Sequence, residues 1–230
     1  MKQGRTACFW SSGKDSCISL YKALAAGEEI SYLLNFISQE YRRVSFHGAQ
    51  AEIVRGQADS IGIPLLQRET TMDNYEAVFL QAMEELKEMG VSSIVRGDIY
   101  LQDLRDWVEE KCASRGMKVI SPIWHLPAEK LIHEFVDCGF KAVITSADAA
   151  KLDRSFTGRA IDKSCIADLK AIAGVDICGE KGEYHSFVFD GPIFKRYIEI
   201  LESETILMKG YWFLNIKRYA IRAKGGENED

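Results

Sequence analysis

The sequence predicts an α/β fold in which a parallel sheet with helices on both faces is followed by a smaller α+β C-terminal domain. Three observations carry this. Short apolar runs alternate with longer segments of helical period from Thr6 to Cys138. Glycines stand just past the periodic segments, at Gly27, Gly62, Gly90, Gly116 and Gly139, where helices end. After about Thr145 the pattern shifts to small and polar residues and then to strand-like runs. Strand–helix–strand alternation with short connections means parallel strands joined by crossovers.

Taken in order, Thr6–Trp10 reads as the first strand and Ser16–Ala26 as the first helix. Ile30–Ile37 and Pro64–Gln67 are the next strands, with the helix Ala49–Ile61 between them. Tyr75–Met89 shows the helical period most clearly. Val78, Phe79, Ala82, Met83 and Leu86 form one stripe, and Glu84, Glu85, Lys87 and Glu88 lie opposite. Ser93–Arg96, Val119–Ser121 and Ala142–Thr145 are further strands, separated by the helices Leu101–Arg115 and Ala128–Cys138. Beyond them come a short helix near Ala167–Ala173 and the strands Ser186–Phe189, Phe194–Glu202 and Tyr211–Ala223. The chain is thus divided into a domain over 1–125, a second over 126–224, and a polar tail, 225–230, that buries nothing and is predicted to be disordered.

Composition narrows the classes. With 230 residues, 47% hydrophobic and 27% charged, the chain has an ordinary globular make-up. No apolar run approaches the ~20 residues of a membrane span, and the stretch Thr6–Trp10 is too short for a signal-peptide core. A net charge of −5 supplies no basic field for nucleic acid. The six cysteines are scattered, without a C-x-x-C pair, so neither a zinc site nor a redox dithiol is indicated. The expectation is a cytoplasmic protein with reduced cysteines.

In open α/β sheets ligands sit at the carboxyl ends of strands. Ser11-Ser-Gly-Lys-Asp-Ser16 follows the first strand and opens the first helix. There, backbone N–H groups and the helix N-terminus face an anion, Lys14 adds charge, and the hydroxyls of Ser11, Ser12 and Ser16 add donors. The loop is not the G-x-x-x-x-G-K-[ST] phosphate loop, and no G-x-G-x-x-G fingerprint follows any strand. An ordinary serine-capped helix start uses the same residues.

Ser11–Ser16 resembles the S-G-G-K-D-S loop of the N-type ATP pyrophosphatases, with Ser12 in place of the first glycine. A positive φ there costs serine something that it does not cost glycine. Further motifs resemble one branch, the diphthine–ammonia ligase family. They are Phe46-His-Gly48, Arg96-Gly-Asp-Ile99, Pro122-Ile-Trp124, Leu152–Arg159 and Cys178–Pro192. The resemblance spans Cys8 to about Lys195. It implies the adenine nucleotide alpha hydrolase-like fold and an amidation. A carboxylate attacks the α-phosphorus of ATP, pyrophosphate leaves, and ammonia then displaces AMP. In that family the carboxylate belongs to diphthine on elongation factor 2.

The resemblance also implies roles. Ser11, Ser12, Gly13, Lys14, Asp15 and Ser16 would hold the pyrophosphate and Mg²⁺. Phe36 and Ser38 would border the adenine, with His47 and Gly97 nearby, and Asp15 and Asp98 would face the metal. Lys14 and Asp15 would act in catalysis together with Glu180, Glu183 and His185. Carboxylates near an ammonium ion hold it and take its proton, and Glu183 is the residue chosen for that work. The chain departs from the family's E-G-G-E-F-E-T pattern, reading Gly-Glu-Lys-Gly-Glu-Tyr-His-Ser over 179–186, which leaves the carboxylate substrate open. Two other readings also stay open: a tRNA-modifying relative and a non-catalytic ATP sensor. A homodimer through the strand-rich C-terminal segment remains compatible with the sequence.

Overall fold

The computed structural model describes residues 4–44 and 48–225. His47 and residues 226–230 of the tail therefore lie outside the described residues. The first half alternates as the pattern predicts: β1 (Arg5–Phe9), α1 (Lys14–Ala25), β2 (Ile30–Ser38), α2 (Ala51–Ile61), β3 (Leu65–Thr70), α3 (Tyr75–Glu88), β4 (Val91–Val95), α4 (Gln102–Ala113) and β5 (Lys118–Ile120). All pairings in this sheet are parallel, and the strand order is β3-β2-β1-β4-β5. The chain winds from β1 out to β3, then crosses back to β4. Strand order thus reverses between β1 and β4, and their carboxyl ends frame a crevice at this switch point.

Helices cover both faces. Successive strand residues point to opposite sides, so Cys8, Leu33, Ile37 and Val95 pack with Ile18 and Leu20 of α1 and Ile53 and Val54 of α2. Ala7, Leu34, Phe36 and Ile94 pack instead with Phe79 and Met83 of α3 and Val108 and Cys112 of α4. The glycines at 27, 62, 90, 116 and 139 all adopt positive φ, as helix-ending glycines do.

The second part contains α5 (Ala128–Asp137), β6 (Lys141–Asp148), a 3₁₀ turn over Arg154–Phe156, α6 (Lys163–Ala171), β7 (Tyr184–Asp190), β8 (Arg196–Met208) and β9 (Tyr211–Ala223). Its sheet is antiparallel, in the order β7-β6-β9-β8. Leu131, Ile144, Phe187 and Leu214 from this part share one continuous core with α1 and α2. The second sheet therefore closes over the α1–α2 side of the first.

Several elements differ from the sequence expectation in length. The short helix begins at Lys163 rather than near Ala167, because the Asp162 carboxylate accepts the Cys165 N–H at 2.8 Å and caps it. β3 runs on through Arg68 and Glu69. At the sheet edge these side chains meet solvent and pair with Glu85 and Arg42, respectively. β8 continues to Met208, well past Glu202, although its distal half is largely exposed. Its ladder with β9, reaching Met208 opposite Tyr211, supplies the order that burial does not.

Candidate functional site

The loop after β1 is built against the second sheet. Ser12 stands at φ +71°, the left-handed region that the serine-for-glycine exchange raised as a cost. Its carbonyl accepts the Val188 N–H of β7 at 3.0 Å. At the start of α1, the Lys14 N–H donates to Ser186 Oγ at 3.1 Å. Ser11 Oγ donates to Ser16 Oγ at 3.2 Å, which in turn donates to the Gly13 carbonyl at 3.0 Å. Gly13 precedes the helix without a side-chain cap, so the first turn keeps its anion-facing character.

A cavity of about 660 Å³ opens beside this loop, within the size range of small-molecule sites. Ser11, Lys14, Asp15 and Ser16 line one side, and Gly97 and Asp98 after β4 line another. Glu180, Gly182, His185 and Ser186 reach in from the second part. An aromatic wall of Phe9, Phe36, Tyr75 and Phe79 borders it, with Phe36 stacked on Phe79 at 5.8 Å. Tyr211 and Phe213 of β9 also line it. A Cβ on Gly97 would lie 2.9 Å from the Asp15 carbonyl oxygen and 3.0 Å from the Ser16 nitrogen. Only glycine lets β4 approach the start of α1 this closely.

The charges inside are paired and mutually constrained. Lys14 Nζ is 2.7 Å from Asp15 Oδ2 and 5.1 Å from the centre of the Tyr184 ring. Burial opposes the Lys14 charge, yet Asp15, with Cys178 and Glu180 adding to it, outweighs this and the lysine pKa is raised. Burial also raises Asp15; Lys14 opposes this, and Asp98 and Asp176 add to it. Asp98 pairs with the buried Arg96 at 2.6 Å. Glu180 accepts the Ile99 N–H at 2.7 Å. Its pKa is pushed up to about 7, first by burial and then by Asp15. His185 is driven down to about 4 by burial and the Lys14 charge, so its imidazole is neutral at pH 7.

The sequence-derived site residues separate into groups. Ser11, Lys14, Asp15, Ser16, Phe36, Gly97, Asp98, Glu180 and His185 line the cavity. Ser12 and Gly13 shape the loop from behind it, and Ser38 sits outside, accepting the Tyr41 N–H in a turn. Glu183 points away. It has no exposed surface and accepts N–H groups of Lys181 at 3.1 Å and Asp176 at 3.2 Å, with Lys151 Nζ at 3.3 Å. Of these two glutamates, the one that faces the cavity is Glu180. Arg105 pairs with Glu109 at 2.6 Å and lies 4.5 Å over the Trp124 ring. Of the aromatic wall, the sequence marked Phe36 as a border of the adenine and Phe79 as part of the α3 stripe, whereas Phe9 and Tyr75 were not singled out.

Glu183 instead organises its loop. Burial raises a carboxylate's pKa, but here the N–H donors and Lys151 prevail and it is lowered. Its stabilising contribution is therefore present above the ordinary carboxylate range and lost as pH falls through the lowered value. Glu183→Gln is expected to lower the melting temperature by a few degrees at neutral pH. The gap should close in acid. A gap unchanged down to the acid limb would refute the assignment.

The family model described as "Diphthamide synthase N-terminal domain" matches residues 4–119, and the one described as "Diphthamide synthase C-terminal domain" matches 127–221. The chain is similar to a diphthine–ammonia ligase of Homo sapiens, 27% identical over 88% of this chain and 85% of that one. A diphthine–ammonia ligase of Danio rerio is 27% identical over 86% of each chain. That of Schizosaccharomyces pombe is 25% identical over 85% of this chain but only 36% of its own length. Among solved structures, a chain from Methanocaldococcus jannaschii described as a "predicted subunit of tRNA methyltransferase" aligns over 83% of this chain and 98% of its own, with TM-score 0.43 and 12% identity. No helix among the described residues is long and apolar enough to cross a membrane.

Proposed function

The chain belongs to the diphthamide synthase family, and from that premise we propose that it is an ATP-dependent ligase that amidates a carboxylate and releases AMP and pyrophosphate. The observation that carries the reading is one cavity at the β1–β4 switch point. It brings the Ser11–Ser16 loop and the raised carboxyl of Glu180 together. Residues 1–125 supply the nucleotide site and 126–224 supply substrate recognition. The acceptor is the carboxylate of diphthine on elongation factor 2, or a related carboxylate, and ammonia supplies the nitrogen.

The reaction runs in two steps. An acceptor carboxylate oxygen attacks the α-phosphorus, and the bond to the β-phosphate oxygen breaks. Lys14 and the first turn of α1 stabilise charge developing on the departing pyrophosphate. Ammonia then attacks the acyl carbon, the acyl–oxygen bond to AMP breaks, and Glu180 takes the extra proton from nitrogen. A carboxyl tuned near 7 suits this work. The aromatic wall of Phe36, Tyr75 and Phe79 offers a flat, apolar face for the adenine.

Among the described residues, no group of three His, Cys, Asp or Glu is arranged to hold a metal ion. The site nevertheless fits a Mg²⁺ brought in by the nucleotide, since that ion uses one or two carboxylates together with phosphate oxygens. Asp15 and Asp98 are the candidates, and their mutual repulsion in the free protein is what a cation relieves. When bound, it neutralises phosphate charge.

Two measurements test this. The first is AMP release from labelled ATP with Mg²⁺ and ammonium, with and without diphthine-bearing elongation factor 2. AMP that depends on that protein supports both chemistry and substrate; ADP as the product contradicts the reading. The second uses Gly97→Ala, whose Cβ must displace the start of α1. ATP affinity is expected to fall at least tenfold, and unchanged affinity would remove the switch-point crevice from the account.

A further inference from the structure

Gln57 sits in the middle of α2 with no exposed surface. Its Oε1 accepts the Trp10 indole N–H at 2.8 Å. Its Nε2 donates to the Ser12 carbonyl at 3.0 Å and to the Val188 carbonyl at 2.6 Å. The Val188 N–H meets that same Ser12 carbonyl at 3.0 Å. One side chain therefore ties three places together: the end of β1, the turn with positive φ, and β7. A primary amide suits this because it offers one acceptor and two donors, whereas a carboxylate offers no donor.

We propose that Gln57 is a positioning residue for the nucleotide loop, strapping the Ser12 turn to β7 so that Lys14 and the first turn of α1 face the cavity. Ser12 lacks the freedom of glycine in its left-handed conformation, so the turn depends on outside bonds. The strap also links the loop to the strand that carries His185 and Ser186. Loop geometry thus depends on the second sheet. The inference rests on the reading of residues 11–16 as the ATP site.

The test uses the full chain with Gln57→Met, which keeps volume but removes every hydrogen bond, and Gln57→Glu. Two readouts are compared with wild type at each pH: amide hydrogen exchange of residues 11–17, and calorimetric binding of MgATP. Gln57→Met is expected to exchange faster in the loop and to bind MgATP about tenfold more weakly, while its melting stays cooperative. In Gln57→Glu the protonated carboxyl presents one donor and one acceptor, and the ionised form presents no donor. That variant should therefore protect the loop at low pH and lose the protection as pH rises, a dependence wild type lacks.

Wild-type loop exchange and affinity in Gln57→Met would overturn the proposal. If that variant does not fold, a Gln57→Glu loop whose exchange matches wild type at every pH would do the same. So would loosening spread evenly over α2 and β7 with MgATP affinity unchanged. Exchange reads the loop without nucleotide. Faster loop exchange in the variants, with no MgATP binding to wild type, would uphold the strap and sink the ATP reading instead.

Discussion

Lys14→Ala is expected to lower ATP turnover about a hundred- to a thousandfold, the usual effect of removing one preorganised electrostatic donor from a site that stabilises developing charge. The side chain is 5% exposed and its ammonium faces Asp15 at 2.7 Å. Burial works against that charge, and the carboxylate beside it, together with Cys178 and Glu180, more than restores it. Lys14 therefore enters the reaction protonated. Alanine also leaves Asp15 without its cation, so the Asp15 carboxyl, already raised by burial, should rise further. Binding of MgATP should weaken together with turnover. Steady-state AMP formation and calorimetric affinity measure both, and near-wild-type values for either would remove Lys14 from the site.

Glu180→Gln should separate the two steps. MgATP binding is expected to survive, and amide formation to fall by about a hundred- to ten-thousandfold, the range for losing a general base. The sign of the pH dependence follows from the raised pKa. Glu180 takes a proton only when ionised, so wild-type amidation at constant free ammonia should rise with pH through about 7, and the glutamine variant should lack that limb. Stability moves in the opposite sense. A carboxyl whose folded pKa lies above its unfolded value stabilises the fold below the unfolded value, and this contribution is lost as pH rises through the folded one. Above pH 7 the glutamine variant should melt higher than wild type. Equal loss of MgATP binding in Lys14→Ala and Glu180→Gln would sink the division of labour between loop and base.

Much of the fold was legible because its signals are local. Apolar period marked the helices, helix-ending glycines marked their limits, and the alternation of elements implied the parallel sheet. The loop at 11–16 was legible for the same reason: its residues are contiguous and precede a helix. What the sequence hid depends on distant partners. Glu180 and Glu183 are three positions apart, and no local pattern tells which carboxylate turns inward; Ile99 holds one, and the N–H groups of Asp176 and Lys181 hold the other. Gln57 left a faint trace, a polar residue on the stripe with Ile53 and Ile61. Its meaning appears only when β7 closes over α2. The length of β8 was hidden likewise, since its order comes from β9 rather than from its own apolar pattern.

Activation of a carboxylate by transfer of the adenylyl group from ATP onto one of its oxygens is the central proposal. It is tested most directly with diphthine-bearing elongation factor 2 whose acceptor carboxylate carries ¹⁸O, incubated with MgATP and ammonium. One labelled oxygen should appear in the phosphate of AMP, with the amide formed in equal amount. Label found in inorganic phosphate alongside ADP, or AMP formed without label, would contradict the account.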